Sequence, residues 1–164
     1  MSGTVPRGAR EIEDVFLRQS DAVYRVCFAY MKNAADAEDM TQTAFLQFIR
    51  KAPFFENERH ERAWLIRTAS NLCKNALKHW WRKREDVSEC ETPSEDRTEI
   101  NEVLEAVRAL PDKYKTPVYL HYYEGYSGEE IAEMLGRPAS TVRNQLRDAR
   151  SLLKKKLGGD PDEE

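Results

Sequence analysis

Residues 124–150 read EGYSGEEIAEMLGRPASTVRNQLRDAR, and this stretch predicts two short helices joined by a tight turn. Ser127 can cap the first helix, and Glu130, three residues later, completes a capping box. Gly136 supplies the left-handed backbone that is common just past a helix end, and Pro138 keeps the first helix from continuing. The stretch therefore predicts a helix-turn-helix.

The second helix of this motif has one apolar and one basic face. We expect Ser140 or Thr141 to cap it. Its inward positions, at three- and four-residue spacing, are Val142, Leu146, Ala149 and Leu153. Its outward positions are Arg143, Asn144, Arg147, Arg150 and Lys154. A helix with such a face fits the major groove of DNA.

The alternative is a surface hairpin whose basic face is only solvated. Residues 137–159 hold seven Lys or Arg and one Asp, a charge of +6 in a protein whose net charge is −3. Lysines at the end of a helix can simply complement its dipole, so residues 154–156 decide little. Arg143 and Arg147 lie in the first turns, where the dipole does not explain them, and they favour contact with DNA.

The composition is typical of a soluble helical protein of one or two small domains. The chain has 164 residues, of which 34% are charged and 40% hydrophobic. It contains no apolar run near the roughly 20 residues that cross a bilayer, and its first residues lack a signal-peptide core. We therefore expect a cytoplasmic protein.

The cysteines and histidines do not form a metal-binding pattern. Cys27 and Cys73 fall on apolar helical stripes, and Cys90 lies far from both. Buried thiols in a reducing compartment are the favoured interpretation. Because there is no CxxC pair and the three histidines are widely spaced, we expect no metal and no cofactor.

Charge is strongly segmented along the chain. Residues 1–84 carry +5 and residues 85–99 carry −6. Two basic blocks separated by an acidic spacer suggest two contacts with a polyanion. The predicted divisions are a first domain, an acidic linker, a helix-turn-helix domain and an acidic tail, at residues 8–84, 85–97, 98–158 and 159–164.

The first domain is predicted to open with two helical segments. Residues 11–31 form one helix or two that meet near Ser20. Asp36 is expected to cap the next helix, which continues until Pro53 stops it. The apolar side of this second segment is Met40, Ala44, Phe45, Phe48 and Ile49. Its acidic and amidic side is Glu38, Asp39, Gln42 and Gln47.

Residues 54–60 are predicted to form an irregular loop with two adjacent aromatics. Phe54 and Phe55 either close the core or line a pocket for an unstacked base. A long helix follows over residues 62–84. One of its faces combines cations, amides and an aromatic ring: Arg67, Asn71, Lys74, Lys78, Trp81 and Arg82. Such a row suits DNA whose strands are separating, although a solvated lysine-rich face is the alternative.

Three stretches in this order resemble a known family. They are residues 36–45 (DAEDMTQTAF), residues 64–75 (WLIRTASNLCKN) and residues 110–157. The chain is similar to bacterial RNA polymerase sigma factors of the extracytoplasmic-function (ECF) group in the sigma-70 family. The resemblance implies an all-α protein with two small domains, the family's second and fourth regions. Asn75 departs from the Asp that the family often has on the −10 helix.

The resemblance also implies partners and site residues. Core RNA polymerase would contact Ala37, Glu38, Asp39, Gln42 and Phe45. The −10 promoter element would be recognised and opened by Phe55, Asn57, Arg67, Asn71, Lys74, Lys78, Trp81 and Arg82. The −35 element would be read by Ser140, Thr141, Arg143, Asn144 and Arg147. An anti-sigma factor is a further expected partner, and the protein would associate with the nucleoid through polymerase.

Three other functions are weaker candidates. An independent helix-turn-helix regulator would give no role to the acidic face near Glu38 or to the cationic, Trp-bearing helix. An enzyme is disfavoured, because the sequence shows no Gly-rich phosphate loop and no nucleophile-and-base spacing. A pure adaptor would not need two basic surfaces. We therefore expect a promoter-specificity subunit without catalytic activity.

Overall fold

The computed structural model describes residues 7–51, 53–83 and 102–156, with α3 side chains given as far as His79 and α7 side chains as far as Lys155. All regular elements in these residues are helical, and the chain divides into two compact units, residues 1–98 and 99–164. The predicted linker at residues 85–97 and tail at residues 159–164 lie outside the described residues, as does Cys90.

The first unit is a three-helix bundle. Its helices are α1 (Ala9–Tyr30), α2 (Ala34–Lys51) and α3 (Glu58–Lys83), and each packs against the other two. α1 is continuous, so the alternative of two helices meeting near Ser20 is wrong. Its apolar stripe runs through Val15, Ala22 and Val26 on both sides of Ser20, and its sequence contains no Gly or Pro.

α2 begins earlier than predicted and uses a different cap. Asn33 Oδ1 accepts a hydrogen bond from the Asp36 backbone N–H at 2.8 Å, so Asn33, not Asp36, caps the helix. The buried stripe is Ala37, Thr41, Ala44, Phe45 and Phe48. Ile49, expected on the apolar side, is 45% exposed because it lies beyond the edge of this stripe.

α3 begins at Glu58, four residues before the predicted start. Asn57 Oδ1 accepts from the His60 N–H at 2.8 Å and caps the helix, which shortens the predicted loop. The inward positions Leu65, Ala69 and Cys73 are fully buried. Cys27 on α1 is also buried.

A buried polar network joins α1 to the first turn of α3. Glu61 Oε1 and Oε2 accept from Arg18 Nε and Nη2, both at 3.0 Å, and Gln19 Nε2 donates to Glu61 Oε1 at 2.7 Å. Arg62 Nε in turn donates to Gln19 Oε1 at 2.6 Å. The hydrogen bond to Glu61 raises the pKa of Arg18 above its ordinary value. The network therefore holds the first turn of α3 against α1 through Arg18, whose guanidinium stays charged.

Within residues 102–156, the second unit holds four α-helices. They are α4 (Glu102–Arg108), α5 (Asp112–Val118), α6 (Gly128–Leu135) and α7 (Ala139–Lys156). A π-helical segment, Tyr119–Tyr123, follows α5, where the Glu124 N–H donates to the Tyr119 carbonyl at 3.4 Å. Tyr119 Oη also donates to Glu124 Oε2 at 2.7 Å, which ties the wide turn together.

The helix-turn-helix forms as the sequence predicts, apart from its second cap. Ser127 Oγ accepts from the Glu130 N–H at 3.1 Å, and Glu130 Oε1 accepts from the Ser127 N–H at 2.8 Å. Gly136 has a φ of 68°, the left-handed conformation expected after α6. Neither Ser140 nor Thr141 caps α7. The Pro138 carbonyl already accepts from the Thr141 and Val142 N–H groups, so the helix begins at Ala139.

Candidate nucleic-acid interface

α7 presents most of its predicted base-reading side chains to solvent. Val142, Leu146 and Ala149 are buried on the opposite face, where they pack against α6 and α5. The predicted residues that are exposed are Ser140, Arg143, Asn144 and Arg147. Thr141 is half-buried. The first two turns of α7 therefore carry a continuous polar surface.

Two contacts affect the side chains near this surface. Arg137 Nη1, in the turn, donates to Gln145 Oε1 at 2.9 Å and so links the turn to the middle of α7. Arg147 Nε lies 3.6 Å from Asp148 Oδ1, but both side chains are well exposed. Such a surface pair contributes little energy. Arg147 can therefore exchange it for a partner on DNA.

The predicted cationic row on α3 is a single helical face. Arg67, Asn71 and Lys78 are exposed, and Lys74 is half-buried. Their spacing of four, three and four residues places them one above another along the helix. Trp81 and Arg82 continue this spacing, but their side chains lie outside the described residues. A row of positive and amide groups thus runs along the described part of α3.

The loop before α3 separates its two aromatics. Phe54 is 56% exposed. Phe55 is half-buried and stacks on Phe48, with ring centroids 6.1 Å apart, and meets Trp64 edge to face at 5.9 Å. Phe55 therefore closes the core and Phe54 faces solvent, while a pocket for an unstacked base stays a prediction. Asn57 is exposed, although its Oδ1 already caps α3.

His60 ties this loop to the first turn of α3. Its Nδ1 accepts from the Glu56 backbone N–H at 3.2 Å, and its ring meets Phe55 edge to face at 5.3 Å. His60 was not among the predicted site residues. Its ring packs against the aromatic cluster around Phe55 from the first turn of α3.

α2 divides the residues predicted to contact polymerase between core and surface. Ala37 and Phe45 are buried, and Phe45 meets Phe16 of α1 edge to face at 4.9 Å. Asp39 and Gln42 are exposed, and Glu38 is half-buried. Ala37 and Phe45 therefore hold the helix in place, whereas the other three residues form its outer face.

Sequence reasoning missed two side chains on that outer face. Leu46 is 61% exposed and Ile49 is 45% exposed. Their spacing of seven and ten residues from Asp39 places them on the same face, and this spacing is the signal that could have identified them. Exposed large apolar side chains beside polar ones are typical of a protein-binding surface.

Two kinds of feature are absent from the described residues. None of the helices there is both long and apolar enough to span a membrane. In residues 7–51, 53–83 and 102–156, no group of three or more His, Cys, Asp or Glu side chains is placed to hold a metal ion.

The sequence matches two family profiles, one in each unit. Residues 15–83 match sigma-70 region 2, and residues 100–153 match sigma-70 region 4. The chain is 30% identical over 156 residues to the RNA polymerase sigma-E factor of Streptomyces coelicolor, covering 90% of this chain and 86% of that protein. The chain belongs to the ECF sigma-70 family. It is also 27% identical to the ECF RNA polymerase sigma factor SigW of Bacillus subtilis, over 90% of this chain and 87% of SigW.

Solved structures share the fold of this sigma factor. The sigma factor RpoE, in complex with the anti-sigma factor NepR from Bartonella quintana, superposes with a TM-score of 0.73 at 19% identity, covering 93% of this chain and 99% of that one. CnrH, in complex with the cytosolic domain of CnrY, gives a TM-score of 0.64 at 19% identity, over 92% and 90% of the two chains. Both confirm the all-α fold.

Family membership also fixes the general activity. The protein is an ECF RNA polymerase sigma factor that initiates transcription. Sigma factors have no catalytic activity of their own, as predicted. Which surface contacts polymerase and which contacts DNA is a separate question.

Proposed function

We propose that each unit of this sigma factor supplies one contact with promoter DNA and that region 2 also docks on core RNA polymerase. Region 2 is the domain at residues 8–84 and region 4 the domain at residues 98–158, joined by the acidic linker at residues 85–97. The observation that carries the proposal is the cation-and-amide row of α3, on the helix that directly follows an aromatic-lined loop. Strand separation needs cations for phosphates and flat groups for bases.

The polymerase contact is assigned to the outer face of α2. Asp39, Gln42 and Glu38 give it an acidic and amidic character that duplex DNA would repel, and Leu46 with Ile49 adds apolar area. The partner surface is on the clamp helices of the largest polymerase subunit. Ala37 and Phe45 serve this contact from the core by fixing α2 against α1.

The −10 contact is assigned to the loop and α3. Phe55 and Asn57 lie where the loop joins the helix, and the row of Arg67, Asn71 and Lys74 begins about three turns further on. Lys78, Trp81 and Arg82 extend the row. Aromatic stacking is worth about 1–3 kcal/mol per base, so even one or two extruded bases give a useful contact.

The −35 contact is assigned to the first turns of α7. Arg143 and Arg147 can each bond a guanine edge bidentately, and Asn144 suits an adenine edge. Ser140 and Thr141, at the start of the helix, are placed for the phosphate backbone or a base. A single helix of this kind binds modestly, so fixing both units on polymerase raises their effective concentration on the promoter.

Regulation and location follow from the same proposal. We infer that an anti-sigma factor binds this protein, because the RpoE and CnrH structures of the same fold are complexes with NepR and with the cytosolic domain of CnrY. Working with polymerase places the protein in the cytoplasm, at the nucleoid.

Run-off transcription tests the proposal. Core polymerase from a matched species is incubated with genomic fragments, with and without the protein, and the new start sites are mapped. We expect start sites that share a two-part upstream motif. Absence of initiation, together with tight duplex binding by the protein alone, would instead indicate an independent helix-turn-helix regulator.

A further inference from the structure

Among the described residues before α1, Arg7 reaches the loop between α2 and α3 with its side chain. Its Nη2 donates to the Pro53 carbonyl at 2.7 Å. Its Cζ lies 5.0 Å from the ring centroid of Phe48 and 5.3 Å from that of Phe55. We propose that Arg7 is a positioning residue for the −10 contact, holding Phe55 and the loop in the arrangement that meets DNA. This inference rests on the proposed function of the loop.

The chemistry of the contact suits arginine. The rings of Phe48 and Phe55 are parallel within 12°. A guanidinium is planar and always charged, so it can donate to a carbonyl while it attracts two ring faces. Arg7 thereby contacts three groups: Phe48 on the core side of α2, Pro53 in the loop, and the half-buried ring of Phe55. A lysine ammonium is a compact, strongly hydrated charge and cannot reproduce this geometry.

Arg7 is itself fixed by the start of α1. The Gly8 N–H donates to Glu11 Oε1 at 3.2 Å, and the Gly8 carbonyl accepts from the Ile12 N–H at 3.1 Å. Gly8 is thus the N-cap of α1, and Arg7 directly precedes it. Because α1 packs against both α2 and α3, its position is transmitted to the loop through a short, ordered connection.

The two ends of the loop are restrained in different ways. At the α3 end, Asn57 caps the helix and Glu61 is ion-paired to Arg18 of α1. At the Pro53 end, the restraint is Arg7. The Arg18 and Arg7 restraints come from α1 and from the residue just before its N-cap, whereas the Asn57 cap is local to the loop. Loss of Arg7 should therefore loosen Phe55 without disturbing the start of α3.

The test measures discrimination rather than total activity. Holoenzyme made with each variant is assayed on a promoter found by the run-off experiment and on copies with one base pair changed in the −10 or the −35 motif. The ratio of initiation rates on intact and changed templates is compared for Arg7→Ala, Arg7→Lys and Arg10→Ala. A loss of folded protein lowers every rate equally and cancels in the ratio.

We expect both Arg7 variants to lower the −10 ratio about two- to fivefold, the scale of a cation–π contact. The −35 ratio should stay at its wild-type value. Arg10 is exposed on the first turn of α1, three residues from Arg7. Arg10→Ala removes the same charge as Arg7→Ala and should leave both ratios unchanged. If Arg7→Ala does not fold, Arg7→Lys retains the charge and carries the test.

Phe55→Ala separates failure of the inference from failure of the proposed function. If Phe55→Ala lowers the −10 ratio and both Arg7 variants do not, the loop acts at the −10 element but Arg7 does not position it. If Phe55→Ala also leaves the ratio unchanged, Phe55 takes no part in reading the −10 element, and the role of Arg7 is overturned with it.

Discussion

Single side chains of α7 differ in what they can contribute to DNA binding. Arg143 and Arg147 lie on the exposed face in the first turns, where a helix in the major groove meets base edges. Arg150 is exposed one turn further on, where phosphate contact is the simpler expectation. Base contacts carry sequence information, and phosphate contacts carry affinity.

Replacing Arg143 or Arg147 with Ala should therefore remove discrimination at the −35 motif. A bidentate base contact is worth about 1–3 kcal/mol, or roughly 5- to 150-fold in the ratio of intact to changed −35 templates. Arg150→Ala is the matched control and should weaken all templates alike. Equal −35 ratios for all three variants would contradict the assignment.

Glu61 is the residue on which the polar network of region 2 depends. Glu61→Gln should lower the free energy of unfolding by about 2–4 kcal/mol, because it leaves Arg18 without its buried counter-charge. We expect the loss in the free energy of unfolding to lie near the lower end of this range, because Arg18 is partly exposed to solvent. Denaturant unfolding of the full chain measures the change.

Glu58→Gln is the control for this change. Glu58 is also near Arg18, at 3.6 Å, but it is mostly exposed, so we expect a loss below about 1 kcal/mol. Similar losses for the two variants would show that burial of Glu61 is not what matters.

The raised pKa of Arg18 adds stability at every pH below the ordinary arginine value, and that stability is lost only as pH rises through the folded-state pKa. We therefore expect no pH dependence from Arg18 near neutrality.

At the scale of elements, the helix starts show which features depend on nearby residues and which depend on tertiary packing. Ser127 and Glu130 were predicted as a capping box and form one, because the box depends only on residues three apart. Ser127→Ala should destabilise the second unit by about 1 kcal/mol. Ser140→Ala, in the first turn of α7 but not its cap, should change stability by less than about 0.5 kcal/mol. Thermal unfolding compares them, and equal shifts would contradict the cap assignments.

The outer face of α2 makes an element-level prediction about polymerase. Leu46→Ala should weaken binding to core polymerase about fivefold or more, the scale of one significant interface side chain. Leu17→Ala, on α1, removes an equally exposed leucine and should not change the affinity. Both variants should keep the wild-type melting temperature. A matched loss for Leu17 would place the docking surface elsewhere.

Much of the fold could be predicted from sequence because its determinants are local. The helix periodicity, Gly136 and the box at Ser127 all act within a few residues. The caps of α2 and α3 were missed, since Asn33 competes with Asp36 and only packing selects between them. The contact of Arg7 with Pro53 depends on where α1 lies against α2, which spacing along one helix does not reveal.

At the scale of the whole molecule, the proposed account joins two modest DNA contacts through polymerase. Each unit alone offers a small basic surface, and the net charge of −3 gives the full chain no general affinity for DNA. Specific initiation then requires both promoter motifs to be met by one holoenzyme. Their separation along the duplex therefore becomes part of the recognition.

The most direct test of this central claim is initiation on promoters with altered spacing. Run-off rates are measured with holoenzyme on an identified promoter and on copies with five base pairs inserted between the −35 and −10 motifs. Because B-DNA turns once in about 10–10.5 base pairs, this insertion moves the −35 motif to the opposite face. We predict that initiation falls to the level of a promoter without a −35 motif. Initiation that is unchanged by the insertion would contradict simultaneous reading of the two elements.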